Sequence, residues 1–197
     1  MSVLIGLDML YVASVTADTS ETATYAAAVR LTNVTQANVS FNTSTDTFFA
    51  DDGPAVVATQ MGDVEVSINV GDLTPAHYAL LTGAAAPDGT NKGVIDITTA
   101  TTPPDVAVGF RAQKANGKYR YIWLMKGKFE LPGSSHQTKE GSVNFQQQEL
   151  TYKAVARIKD AKVMRRVDSD DTNVPTMTEA QLATQWFETP DVALVAP

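Results

Sequence analysis

The sequence contains no cysteine and only 2 histidines. The absence of cysteine excludes disulfide bonds, thiolate metal sites and cysteine nucleophiles. Basic residues are in the minority, since 15 Lys and Arg stand against 22 Asp and Glu, for a formal charge of -7. Proteins that bind nucleic acid tightly do so with clustered Lys and Arg, so this balance argues against a dedicated nucleic-acid-binding protein.

Long hydrophobic runs are also missing. Asp8 interrupts the opening apolar stretch, and the first basic residue is Arg30. No segment approaches the ~20 apolar residues that span a bilayer. We therefore expect a protein made in the cytoplasm, with neither export signal nor membrane anchor. Residues 1–197 fit a single domain, because no linker, internal repeat or low-complexity segment divides them.

The sequence has no recognisable catalytic or cofactor-binding pattern. His77 and His136 lack a second histidine at the spacing of a zinc pair, and there is no glycine-rich phosphate loop. Acidic residues between 168 and 179 have the spacing of a calcium-binding loop, but Asn173 replaces the glycine that its sharp turn requires. We expect no enzyme activity, no cofactor and no metal.

Several segments have the pattern of β-strands. Residues 64–70 alternate apolar and polar side chains, which predicts a strand with one buried face. Residues 106–113 and 118–131 flank Asn116 and Gly117, a pair typical of a type I′ turn, and this arrangement predicts a long hairpin. The middle of its second strand is apolar on both faces, so another layer must cover it.

Further strands are predicted elsewhere in the chain. Residues 7–13, 26–31 and 34–41 are consistent with shorter strands. Residues 142–158 alternate too, but their apolar positions change from odd to even numbers, which predicts a bulge or turn within the segment.

Two short helices carry start signals. Thr74 followed by Pro75 predicts a helix that ends at Gly83. Thr178 and Gln181 form the pattern of a capping box, which predicts a second helix running to about residue 187. Many strands with one or two short flanking helices predict a mainly β protein, organised as a β-sandwich or barrel.

One segment, residues 42–60, shows weak periodicity and is interpreted as a long loop. Its centre contains Asp51, Asp52, Gly53 and Pro54. Loops of this length in a compact domain are functional, disordered or ordered by a partner.

Several segments resemble the major tail tube proteins of siphophages, the phages with long non-contractile tails. They are residues 6–13, 50–54, 106–111, 116–124, 126–129 and 138–145. Their order and spacing match over about residues 4–160. The segment from about residue 167 has no counterpart and is interpreted as a C-terminal extension.

The resemblance implies a virion structural protein with a β-sandwich or barrel-like fold. Subunits would self-assemble into homohexameric rings that stack into the tail tube, the conduit for genome ejection. Further partners would be a tape-measure protein inside the tube, a terminator at the head end and tail-tip proteins at the other end.

The resemblance also implies roles for particular residues. Asp51, Asp52, Gly53 and Pro54 would belong to an assembly loop over residues 42–60, and Asn116 with Gly117 would form the central hairpin turn. In a closed ring, we expect neighbouring subunits to cover the apolar outer face of the hairpin.

The net negative charge of the chain is consistent with a tube through which DNA passes without specific binding, because an acidic lumen repels phosphates. Asp63, Glu65 and Glu149 are candidates for lumen residues.

Two alternatives remain open from the sequence. One is the tube protein of a contractile tail, a bacteriocin particle or a secretion system, which shares the ring architecture. The other is a carbohydrate-binding β-sandwich, in which Tyr119, Tyr121 and Trp123 would stack on sugars. The alternation of these aromatics along a strand is explained more simply by a core or an interface.

Overall fold

The computed structural model describes residues 3–50, 53–87, 93–133, 147–171 and 178–193. Within these ranges the protein is mainly β, as predicted, with nine strands in one antiparallel sheet and two short helices. The strands are β1 (Leu4–Asp18), β2 (Ala23–Tyr25), β3 (Val29–Leu31), β4 (Val34–Ala50), β5 (Gly53–Val70), β6 (Val106–Lys114), β7 (Tyr119–Phe129), β8 (Gln148–Ala154) and β9 (Met164–Asp168). The helices are α1 (Pro75–Thr82) and α2 (Glu179–Gln185).

The sheet follows the order β2-β1-β6-β7-β8-β5-β4, with β3 paired to β1 and β9 paired to β7. It curves so that strands from both halves share one core. Val66 and Ile68 of β5 contribute to this first core together with Val108 and Phe110 of β6. The alternation predicted for residues 64–70 is confirmed, since every second side chain of this segment is buried.

The outer face of β7 packs into a second core. Tyr121 and Trp123 point to this side, where they meet Leu182 of α2 and the adjacent Trp186 and Phe187. The predicted second layer over β7 is therefore present, but the chain's own C-terminal segment provides it. This corrects the expectation that a neighbouring subunit covers that face, because the face is already buried within one chain.

Side chains of β7 alternate between the two cores, and a bulge changes the phase of this alternation. The β6–β7 register shifts between Val106 and Val108, which inserts one extra residue into β7. Leu124 before the bulge and Phe129 after it both reach the first core despite their opposite parity. Opposite Trp123 lies Gly109, where a Cβ atom would come within 2.6 Å of the indole ring. Glycine is required there because the ring occupies the side-chain space.

The β6–β7 hairpin is confirmed, but its predicted turn type is wrong. The backbone N–H of Lys114 donates to the carbonyl of Lys118, and the N–H of Gly117 donates back to the carbonyl of Lys114. Gly117 has a positive φ of 78°, whereas Asn116 does not. The loop thus has three residues, a type I turn followed by a left-handed glycine, and a type I′ turn accommodates only two.

Both helices begin where their capping signals predict. The Thr74 hydroxyl accepts from the His77 N–H, and α1 ends at Gly83 with a positive φ of 76°. Thr178 and Gln181 form the complete capping box of α2. The second helix stops at Gln185 and continues as a turn, slightly before the predicted end. No helix within the described ranges is long and apolar enough to cross a membrane.

The strand predicted to reach residue 158 ends earlier. Leu150, Tyr152 and Ala154 alternate inward along β8 as expected, but Ile158 is exposed. After β8 the chain makes a turn in which Arg157 pairs with Asp160 and the Arg157 N–H donates to the carbonyl of Lys162. Residues 142–146, which contain the first half of the predicted alternation, lie outside the described residues.

Candidate assembly surface

The segment predicted as a loop over residues 42–60 forms the outer half of the β4–β5 hairpin. We call residues 42–50 and 53–63 the arm. The two strands pair from Thr43 with Met61 to Ala50 with Gly53. β5 pairs with β8 only from Val64 onwards, so the arm is a ribbon of two strands among the described residues. The loop interpretation was wrong because both faces of the ribbon are exposed, which removes the alternation that marks a half-buried strand.

The arm exposes apolar side chains on both of its faces. Phe48 is 67% exposed and Val56 is 59% exposed, and these cross-strand partners share one face. Phe49 and Val57 lie on the opposite face and are exposed to 66% and 61%. Isolated two-stranded ribbons are marginal in water, and contiguous exposed apolar groups mark interaction sites. The arm is therefore a candidate interaction surface.

The structure describes only part of the assembly motif predicted at residues 50–54, namely Ala50, Gly53 and Pro54. Asp51 and Asp52 fall outside the described residues. Gly53 pairs with Ala50, and Pro54 pairs with Phe49, where an extra residue in β5 bulges the ribbon. The surrounding sequence is acidic, since residues 31–91 contain no Lys or Arg.

The whole of β4 is an edge strand. It pairs with β5 along one side, and no described strand pairs with its other side. Natural proteins protect long edges with lysine or proline, but β4 contains neither Lys, Arg nor Pro over its 17 residues. This edge is therefore open to pairing with another chain.

A groove of about 450 Å³ opens beside the base of the arm. Its lining brings together the start of β1, the inner half of β4, the β6–β7 hairpin and β9. Its apolar lining includes Leu4, Leu7, Val39, Phe41, Ile122 and Met164. Arg120 and Arg166 also line it, so the groove combines an apolar floor with positive charge.

A cluster of ion pairs lies on the basic side of the groove. Asp168 accepts hydrogen bonds from Arg120 Nε at 2.7 Å and from Lys114 Nζ at 3.0 Å, and Arg166 Nε lies 3.8 Å away. The hydrogen bond from Arg120 lowers the pKa of Asp168 to about 2, against the opposing effect of burial. Lys114 also pairs with Asp170. Arg166 keeps half of its side chain exposed, at 50%.

The outer face of the β4–β5–β8 part of the sheet is polar. Glu65 lies between Ser40 of β4 and Lys153 of β8, and Lys153 Nζ bonds Glu130 at 2.8 Å. Glu149 stands on the same face, opposite Asn69. Asp63 accepts a 3.0 Å hydrogen bond from Asn42 at the base of the arm. The candidate lumen residues Glu65 and Glu149 therefore share one face.

The aromatic residues considered for sugar stacking are not available as a group. Tyr121 and Trp123 are fully buried in the second core, and Arg111 lies over the ring of Tyr119 at 4.3 Å. Their alternation reflects core packing. Two of the three aromatic residues on which the carbohydrate-binding alternative depended are therefore inaccessible to a sugar.

The acidic residues with calcium-loop spacing have other contacts. Asp168 and Asp170 pair with basic side chains as described above, and Glu179 accepts from Lys118 Nζ at 2.6 Å. Among the described residues, no group of three potential ligand side chains is positioned to hold a metal ion. His77 is half-buried in α1, and His136 lies outside the described residues.

Comparison with protein-family models found no match, and a search of curated proteins found no similar sequence.

Proposed function

We propose that this protein is a structural virion subunit that self-assembles into stacked rings, forming the tail tube of a siphophage. The observation that supports this most directly is the arm, a ribbon with exposed apolar residues on both faces. Such a ribbon is stable when neighbouring subunits bury it. Repeated copies of one chain provide such neighbours on both sides.

Ring closure also accounts for the open edge of β4. When subunits join edge to edge around a rotation axis, each open strand is paired and no edge remains. Contacts of this head-to-tail kind generate rings when the rotation closes. Six subunits per ring is the number implied by the resemblance to tail tube proteins.

The polar outer face of β4, β5 and β8 suits a water-filled channel. Glu65 and Glu149 would present negative charge to the passing genome. A basic channel would gain affinity at each phosphate contact and slow transit, whereas acidic groups leave DNA unbound. We assign this face to the lumen.

The proposed assembly has further partners by analogy with the family. They are a tape-measure protein within the growing tube, a terminator at the head end and tail-tip proteins at the other. Tubes of contractile injection particles share the ring architecture but are surrounded by a sheath. Electron microscopy of the particle that contains this protein distinguishes the two classes by the presence or absence of that sheath.

Negative-stain electron microscopy of the purified protein over a range of concentrations tests the proposal. We expect rings or hollow tubes of uniform width, with assembly increasing at higher concentration. Monomers at every concentration and salt condition would contradict self-assembly of the chain.

A further inference from the structure

We infer that the arm of one copy docks into the groove of a second copy, with Phe48 inserted and Asp46 paired with Arg166. This inference names the partner surface of the arm and rests on the proposed self-assembly. It differs from edge-to-edge ring closure, since it uses the side chains of the ribbon rather than the β4 edge.

Phe48 lies far along the arm from the groove of its own chain. Phe41 lines the groove at the base of the arm, and Phe48 lies seven residues further along the same strand. At 3.3 Å per residue the separation is about 23 Å. β4 runs unbroken from Val34 to Ala50, and the register shifts at the base and near the tip of the arm place their extra residue in β5. No residue of the arm lines the groove of its own chain. The groove that receives Phe48 therefore belongs to another molecule.

The two surfaces match in chemistry. The groove offers an apolar floor with Arg166 half exposed beside it. One face of the arm carries Phe48 and Val56, and Asp46 stands on that same face two residues away. Because residues 31–91 contain no Lys or Arg, the arm brings no like charge to the basic groove.

The local charge balance favours this orientation. Lys114, Arg120 and Arg166 share Asp168, and Asp170 is the second carboxylate paired with Lys114. Arg166 makes the longest of these contacts, at 3.8 Å, and keeps half of its side chain exposed, so a carboxylate from another copy has access to it. Asp46 supplies one without burying an unpaired charge.

An arm-in-groove contact is heterologous, because the two partners use different surfaces. Each added copy then presents a fresh arm and a fresh groove, so the contact propagates in one direction. In the proposed tube, this polarity would set the direction in which rings stack.

Cysteine cross-linking tests the contact, and the cysteine-free chain makes every engineered pair unambiguous. One tagged chain carries Val56→Cys on the docking face, and a second carries Leu4→Cys in the groove. The matched control is Val57→Cys, the next residue on the opposite face, with nearly equal exposure. With a short bis-maleimide linker we expect at least about tenfold more cross-linked heterodimer from Val56→Cys than from Val57→Cys.

The outcomes distinguish this contact from the proposed function. Tubes with equal cross-linking yields for both positions would overturn the docking while leaving tube formation intact. A Val56-specific cross-link without tubes would support the docking and count against the tube. Neither tubes nor a specific cross-link would overturn both.

Charge reversal provides a second measurement. Asp46→Arg and Arg166→Asp should each raise the concentration needed for half-maximal assembly by about tenfold, and the double variant should recover most of that loss. Single variants that assemble normally, or a double variant that is additively worse, would contradict the Asp46–Arg166 pairing. Circular dichroism of each variant checks that the fold is retained.

Discussion

The indole N–H of Trp123 donates a 2.8 Å hydrogen bond to the backbone carbonyl of Trp186. The bond joins the outer face of β7 to the turn that follows α2. Both side chains are fully buried, and Tyr121 contacts the Trp186 ring edge-on at 6.2 Å between centroids. The C-terminal segment is therefore part of the fold rather than an appended tail.

Trp186→Ala should destabilise the subunit strongly. Removing a buried indole leaves a cavity and exposes the outer face of β7, at a cost of about 3–5 kcal/mol. Urea denaturation followed by circular dichroism measures the loss. Thr184→Ala on the exposed side of α2 is the control and should change stability by less than about 0.5 kcal/mol. Equal effects of the two variants would show that the C-terminal segment contributes little to the core.

Gly109→Ala should also destabilise the protein, although it adds only a methyl group. The new Cβ would lie 2.6 Å from the Trp123 ring, so the ring or the strand must move. Overpacking of this kind costs about 1–3 kcal/mol. Gly6→Ala in β1 is the matched control, since nothing lies within 4 Å of its Cβ position. A Gly109→Ala variant as stable as Gly6→Ala would contradict the close approach of the indole.

Local signals in the sequence were sufficient for much of the fold. The alternation of residues 64–70 predicted a half-buried strand, and Thr74, Thr178 and Gln181 predicted both helix starts. These features depend on residues a few positions apart. The Asn116–Gly117 pair predicted a two-residue turn, whereas the loop has three residues. The Asn-Gly pair alone does not fix the length of the loop.

The candidate site depends on contacts that local patterns do not encode. The arm looked like a loop because its strands are exposed on both faces. The groove joins Leu4, Val39 and Met164, which are far apart in the chain and meet only after the sheet curves. The cover over β7 likewise comes from Trp186 and Phe187, whose partners lie more than 60 residues earlier.

The ion pairs of Asp168 should make the free energy of unfolding depend on pH. Its folded-state pKa is about 2, below the ordinary 3.8, so its contribution is complete above about pH 4 and is lost as pH falls towards 2. The shift corresponds to about 2 kcal/mol. Asp168→Asn should lose about that much at pH 7, and the difference from the wild type should nearly vanish near pH 2. Urea denaturation at pH 7, 4 and 2.5 measures it, and a difference that stays constant with pH would contradict the ion-pair assignment.

Replacing Glu65 and Glu149 with lysine should make assembled tubes retain DNA. The double variant places positive charge on the face assigned to the lumen, where each phosphate contact adds salt-dependent affinity. Fluorescence anisotropy of labelled DNA across a salt series measures the effect. Glu21→Lys with Glu188→Lys makes the same charge change at exposed positions elsewhere and is the control. Equal DNA binding by the two double variants would show that the polar face does not line the channel.

Removing the arm should separate folding from assembly. Residues 45–59 can be replaced by an Asn-Gly turn that joins Ser44 to its cross-strand partner Gln60. The arm contributes no side chain to either core, so the shortened chain should keep the urea midpoint of the wild type within error.

Sedimentation velocity and negative-stain microscopy should then find folded subunits that do not stack. Thr45→Ala, which alters an exposed hydroxyl without shortening the ribbon, is the control and should assemble normally. Wild-type tubes from the shortened chain would remove the arm from the assembly interface, and an unfolded product would mean that the ribbon stabilises the subunit itself.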